Sequence, residues 1–238
     1  MLKTSGMPVS FISSMAGGFV YDRHTSFTNF TNTPAVGRGG LIISSYIDLN
    51  NNGVRDPGEP KVRGLLFSIS GGARKENIKD TSIVISNLEG YNEYLLKIDK
   101  NSFDEIDWKI KTGSIKVVVR PNEFRVIEIP ISVMAEVSGT IYQQTENGKI
   151  TMERIILEIF NEKGILVAKT LSETDGYYSY LGLPTGTFTI KPDETQLIKL
   201  SLQNPAGEFK CFVKSSINGN TYPNINFTLE VIPNNIKK

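Results

Sequence analysis

The chain has 238 residues, and its 26 Lys and Arg against 25 Asp and Glu leave a formal net charge of +1, which excludes a nucleic-acid binder that works through a basic excess or stripe. At 39% hydrophobic and 21% charged residues it holds enough apolar material for packed cores and too little charge for a disordered chain. A single Cys and a single His exclude an internal disulfide and a Cys/His zinc cluster.

From the N-terminus, Met1 to Asp22 combines Lys3, a modest apolar stretch and small residues at Ser14 to Gly17, a faint imitation of a secretory signal. Ser10, Ser13 and Ser14 interrupt its apolar core, so the segment reads as strand material and the chain as the downstream part of something longer. His24 follows in a polar run with no nucleophile signature beside it, and reads as a surface residue. No run approaches the roughly 18 apolar residues of a membrane helix.

Strand-like runs then recur along the chain at Leu41 to Ile47, Ser82 to Ser86, Phe124 to Ile131, Ile155 to Phe160, Thr187 to Ile190 and Ile225 to Val231, each bounded by Gly, Pro, Asn or Asp. In the last, Ile225, Phe227, Leu229 and Val231 fall on one face and Asn226, Thr228 and Glu230 on the other, the period of two of a half-buried strand. Cys211 sits in a similar alternating run, Phe209 to Val213, and reads as a small buried hydrophobe. With no helical stripe over a dozen residues, the pattern predicts an all-β chain of two tandem antiparallel β-sandwiches.

Leu88 to Asp99 resembles Leu183 to Asp193, a turn feeding a strand that ends in a carboxylate, and Gly40 and Gly139 open candidate first strands of two such units. The expected division is an N-terminal segment at 1–36, a first sandwich at 37–134 and a second at 135–238. Ile129 to Ser138 runs almost unbroken across the seam at Met134 and Ala135, so a stiff tandem is expected.

One motif stands apart. Asp48-Leu-Asn-Asn-Asn-Gly-Val-Arg-Asp-Pro-Gly-Glu59 fits D-x-[DN]-x-[DN]-G-x5-E, with oxygen side chains at loop positions one, three, five, nine and twelve. Ca²⁺ takes six to eight oxygens, and alternating side chains of a tightly curled loop supply them around a glycine that permits the turn. The candidate ligands are Asp48, Asn50, Asn52, the carbonyl of Val54, Asp56 directly or through water, and Glu59, with Gly53 at the turn. The flanks are strand-like and position eight is Arg55 where paired hands place an aliphatic, so the loop reads as a connection between strands. The competing reading is a metal-free turn, which the same Asn, Gly, Asp and Pro residues favour. With three carboxylates and three neutral donors, the expected site is a modest structural one.

The stretch from Tyr46 to Leu65 resembles the opening of the calcium-binding B-type domains of bacterial surface adhesins, where strand, loop and second strand follow in this order. Val137-Ser-Gly-Thr-Ile-Tyr142 together with Glu173 to Ile190, which carries Asp175-Gly-Tyr-Tyr-Ser-Tyr-Leu-Gly-Leu-Pro-Thr-Gly186, resembles the carboxypeptidase regulatory-like domain, a transthyretin-like sandwich without peptidase chemistry of its own. Gly17 to Asp22, Val36 to Leu41, Tyr94 to Asp99, Trp108, Arg120 to Asn122 and Ile127 to Pro130 are similar to the end of usher-like outer-membrane proteins, which would make Val9 to Tyr21 a last barrel strand or its remnant. Together the resemblances imply a bacterial cell-envelope protein outside the cytoplasm, at the outer membrane or cell surface, with other envelope proteins or preceding domains as partners. Millimolar calcium there suits a weak site. Related adhesin domains lock themselves with a Lys-Asn isopeptide bond, but neither Leu41 to Ile47 nor Val137 to Tyr142 supplies the Lys, so no such bond is expected.

The leading expectation is therefore a non-catalytic structural or interaction module whose first domain is stiffened by Ca²⁺. A polysaccharide-binding accessory module is the alternative. It needs exposed aromatics, of which Trp108 is the first to examine, although Trp is more often buried. Tyr177, Tyr178 and Tyr180 read as core and rim of the second sandwich, with Tyr178 and Tyr180 on one face and Tyr177 and Ser179 on the other. Asp99, Asp104, Glu105 and Asp107 lie close in sequence, but adjacency fixes no separation across a substrate, so they read as a solvated acidic loop and no enzyme is expected.

Overall fold

The computed structural model describes residues 18–22, 27–31, 37–71, 75–79 and 81–233. His24, the signal-like residues up to 17 and residues 9–17 of the expected barrel strand lie outside the described residues. The chain is all-β, as predicted, with a short helix near its C-terminal end.

Its strands are β1 (Gly18–Asp22), β2 (Phe27–Thr31), β3 (Arg38–Ile47), β4 (Lys61–Val62), β5 (Phe67–Ile69), β6 (Lys75–Lys79), β7 (Ser82–Glu89), β8 (Glu93–Ile98), β9 (Trp108–Ile110), β10 (Ser114–Val118) and β11 (Phe124–Val133). They continue with β12 (Ala135–Thr145), β13 (Gly148–Thr151), β14 (Ile156–Asn161), β15 (Leu166–Leu171), β16 (Tyr177–Leu183) and β17 (Gly186–Pro192). Helix α1 (Glu194–Lys199) precedes β18 (Leu202–Gln203), β19 (Phe209–Val213), β20 (Thr221–Tyr222) and β21 (Phe227–Val231).

β1 and β2 form a hairpin. The next sheets have strand orders β10-β8-β5 and β6-β7-β3-β11-β9, with β4 added on β3. β3 is buried from Gly39 to its end, on both faces, which is why Leu41, Ile42 and Ile43 follow one another without polar alternation. Two compact units are distinguishable. The described parts of Met1–Ile43, Ile69–Leu96 and Ile115–Ile127 make the first, and Ser44–Ser68, Lys97–Ser114 and the described residues from Glu128 onward make the second. In the first, Ile42 and Val84 pack with Phe124 and Val126.

The second unit contains a sandwich of two sheets. One has the order β15-β14-β17-β19; the other has the order β13-β12-β21-β18, with β16 and β20 also on β12. Alternate residues of these strands, among them Val137, Ile141, Leu157, Ile159, Tyr178, Phe188 and Ile190, meet in one core. The period of two in the last strand is realised: Ile225, Phe227 and Leu229 are buried, while Val231 emerges where β21 meets the short β18. Cys211 is buried in the same core, and burial pushes its thiol up. Two pairings differ from the antiparallel expectation. β12 pairs in parallel with β20, through Glu136 and Thr221, and with β21, through Ile141 and Phe227. The long stretch of chain between β12 and β20 supplies the crossover that parallel pairing requires.

Helix α1 was not expected. Asp193 caps it, accepting from the Gln196 N–H at 3.0 Å. The Gln196 side chain turns back to β14, accepting from Ile156 N at 2.8 Å and donating to Arg154 O at 2.8 Å. Lys169 lies 2.8 Å from Glu158 and 3.5 Å from Asp193. The Gln196 N–H first, and then Lys169, hold the Asp193 carboxyl below its ordinary range. Because the folded-state value is the lower one, this contribution is complete above the ordinary carboxylate range and is lost as pH falls through the depressed value. Asp193→Ala is expected to cost about 0.5–2 kcal/mol at neutral pH, as loss of a cap does. Urea unfolding should show the gap to wild type closing as the pH is brought below that range.

Candidate functional site

The twelve-residue loop leaves the end of β3 and returns as β4, which pairs with β3 through Ser45 and Val62. Its base is closed by Ile47 N donating to Pro60 O at 3.0 Å, and Asp48 N donates to Ile131 O on β11 at 2.9 Å. All six predicted ligand residues lie in this loop, within the second compact unit. Asp48 and Glu59, its two ends, are each only 4% exposed.

Backbone donors hold both buried carboxylates. Asp48 accepts from Asn52 N at 3.1 Å on Oδ1 and from Gly53 N at 2.8 Å on Oδ2. Glu59 accepts from Leu49 N on Oε1 and from Asp56 N on Oε2, both at 2.9 Å. Gly53 has φ +78, the left-handed turn foreseen for it. Asn50 and Asn52 curl the loop by accepting the N–H two residues on, at 3.1 and 2.7 Å. Their amide nitrogens meet at Asp56 Oδ2, each at 2.7 Å. Val54 stands at the outer rim with its side chain 65% exposed, so only its carbonyl is a candidate ligand.

The donor set fits a hard divalent cation. Its candidate donors are oxygens and include three carboxylates, while at the point where positions three, five and nine meet, the two Asn present nitrogen to Asp56 Oδ2. A half-turn of either Asn amide would present oxygen there and give up the backbone N–H that its oxygen accepts two residues on. No three Asp, Glu, His or Cys side chains are gathered as a metal cluster among the described residues, so Asp48, Asp56 and Glu59 do not by themselves form one. Burial, and after it the charges of Asp48, Glu59, Glu128 and Asp56, push the Tyr46 hydroxyl up to about 12.

Several contacts around the loop lie beyond the motif. Arg55 and Lys61 both approach Glu128 of β11, at 3.8 and 3.4 Å, so the unusual residue at position eight serves an ion pair. Asn51 Oδ1 accepts from Ser132 Oγ at 2.9 Å and from Lys111 Nζ at 2.6 Å. Thr185 Oγ1 donates to Leu49 O at 2.9 Å. These partners are 60 or more residues away, and no local pattern announces them.

The other candidates take structural places. Trp108 is half-buried and meets Phe103 edge-on, with ring centroids 5.2 Å apart. Tyr178 is fully buried and donates to Ile225 O at 2.7 Å, Tyr180 packs on the same core, and Tyr177 faces outward. Asp99, Asp104 and Glu105 are exposed, while Asp107 is half-buried and its carbonyl accepts from Met134 N at 2.7 Å.

No family model and no curated protein matches the chain. Among solved structures it is similar to the TIE protein of Bacillus anthracis, at 18% identity and a TM-score of 0.35, over 87% of this chain and 36% of that one. It is also similar to GBS52, the minor pilin of Streptococcus agalactiae, at 13% identity and a TM-score of 0.38, over 82% of this chain and 97% of that one. The shaft pilin SpaA of Lactobacillus rhamnosus GG aligns at 9% identity and a TM-score of 0.31, over 82% of this chain and 98% of that one. The chain thus spans little more than a third of the Bacillus anthracis protein.

Proposed function

We propose that this chain is a non-catalytic structural module of a bacterial cell-envelope protein, and that Ca²⁺ held by Asp48, Asn50, Asn52, the Val54 carbonyl, Asp56 and Glu59 stiffens the loop between β3 and β4. The observation that carries this reading is the pair of buried carboxylates, Asp48 and Glu59, at the two ends of an all-oxygen loop. A buried carboxylate needs a counter-charge as well as hydrogen bonds, and the backbone N–H groups supply only the bonds. A divalent cation would neutralise both and cross-link the two arms of the loop. A modest site of this kind is filled where calcium is millimolar, outside the cytoplasm. The module would act as a spacer or docking piece among other envelope proteins or preceding domains. The edge packing of Trp108 on Phe103 favours this reading over a polysaccharide platform.

Thermal unfolding in excess EDTA and in millimolar CaCl₂ tests the proposal. Calcium at 100 times its dissociation constant adds about 2.7 kcal/mol, a rise in Tm of several degrees, and Asp48→Ala combined with Glu59→Ala should abolish the rise. An unchanged Tm in wild type would reduce the loop to a turn and sink the reading.

A further inference from the structure

Leu49 lies beside the ligand set at a crossing of hydrogen bonds. Its N–H donates to Glu59 Oε1, and its C=O accepts from Thr185 Oγ1, both at 2.9 Å. Thr185 and Pro184 form the turn that joins β16 to β17, and β17 enters the core through Phe188 and Ile190. Asn51 and Thr185 also line a common cleft of about 500 Å³. All of these residues belong to the second compact unit. A single residue, through two successive peptide units, therefore joins the side chain of a proposed cation ligand to the β16–β17 turn.

We propose that Thr185 is a positioning residue that carries the cation-dependent order of the loop into the β16–β17 turn. The proposal rests on the calcium reading above and adds a route by which that site acts beyond its own twelve residues. When Glu59 is fixed by the cation, Leu49 is held at its N–H, and the next peptide plane, which carries its C=O, is restrained as an acceptor for the Thr185 hydroxyl. When the loop opens, that acceptor moves and the hydroxyl returns to water. Coupling of this kind is reciprocal, so a turn that cannot donate leaves the loop less ordered and its cation less tightly held. Loss of one neutral hydrogen bond corresponds to an affinity loss of about two- to tenfold.

Hydrogen exchange read by mass spectrometry, in EDTA and in saturating CaCl₂, separates the possibilities for wild type, Thr185→Val and Thr185→Ser. In wild type, calcium at 100 times its dissociation constant should slow exchange of the loop amides by up to about 100-fold, and should slow the amides of Thr185 to Thr187 as well. In Thr185→Val the loop should still respond and the turn should not. Thr185→Ser, which keeps the hydroxyl, should behave as wild type. A turn that responds equally in Thr185→Val overturns the coupling. So does a turn that is silent in wild type while the loop responds, or one whose exchange shifts by the same amount with and without calcium. A loop silent in wild type overturns the calcium reading and the coupling with it, so the loop signal tells the two failures apart.

Discussion

Gly139→Ala is expected to destabilise the second compact unit by about 3 kcal/mol or more, the upper end of what overpacking costs. Gly139 lies in β12, opposite Tyr178 of β16. A Cβ there would stand 2.0 Å from the carbonyl oxygen of Ile225 and 2.5 Å from its carbonyl carbon. The obstacle is backbone, so no rotamer change relieves it. The same oxygen accepts the Tyr178 hydroxyl at 2.7 Å, and Ile225 N donates to Ser138 O at 3.0 Å. Making room for one methyl group moves the Ile225 segment off β12, stretches both bonds and leaves a buried hydroxyl and carbonyl without full partners. Urea unfolding of the variant should show a much lower midpoint with the slope preserved. A variant within about 1 kcal/mol of wild type would mean that the approach of Ile225 to β12 is not required for the fold.

The close approach at Gly139 also marks the limit of what the sequence discloses. The apolar run after Gly139 marks a strand, but that strand begins earlier, at Ala135, and nothing near Gly139 names Ile225 as the neighbour. Local patterns carried the strands. The alternation of Ile225, Phe227 and Leu229, and the unbroken run of Leu41 to Ile43, each reflect how many faces of the strand are buried. The placing of six oxygen-bearing residues in one loop was legible for the same reason, since the spacing and the turn glycine are local. Helix α1 was missed, although Asp193 followed three residues later by Gln196 is a capping pattern. Six residues are too short for a hydrophobic stripe to show. The parallel returns of β20 and β21 to β12 were not legible, because a period of two fixes faces and leaves partners open. Asn51 and Thr185 were passed over because their roles depend on partners 60 or more residues distant, at Lys111, Ser132 and Leu49.

Glu59→Gln should separate what the loop owes to its own backbone from what it owes to a cation. Glu59 is 4% exposed and its two oxygens accept from Leu49 N and Asp56 N. Gln keeps the shape but offers one oxygen and one NH₂, so one of the two backbone N–H groups faces a donor. That mismatch and the lost charge on the surviving bond cost about 1–3 kcal/mol, a penalty that should appear in EDTA. A neutral amide is also a poor replacement for a bidentate carboxylate at position twelve of a calcium loop. In CaCl₂ at 100 times the wild-type dissociation constant, the variant should therefore fall behind by a further 2.7 kcal/mol or so. Urea unfolding under the two conditions reads both numbers from one pair of proteins. Equal penalties in EDTA and CaCl₂ would assign Glu59 wholly to its backbone contacts, and the cation would have to be given up. A penalty confined to CaCl₂ would mean that the Leu49 and Asp56 N–H groups find water when the carboxylate is replaced, and that the cation alone justifies a buried acid at the end of the loop.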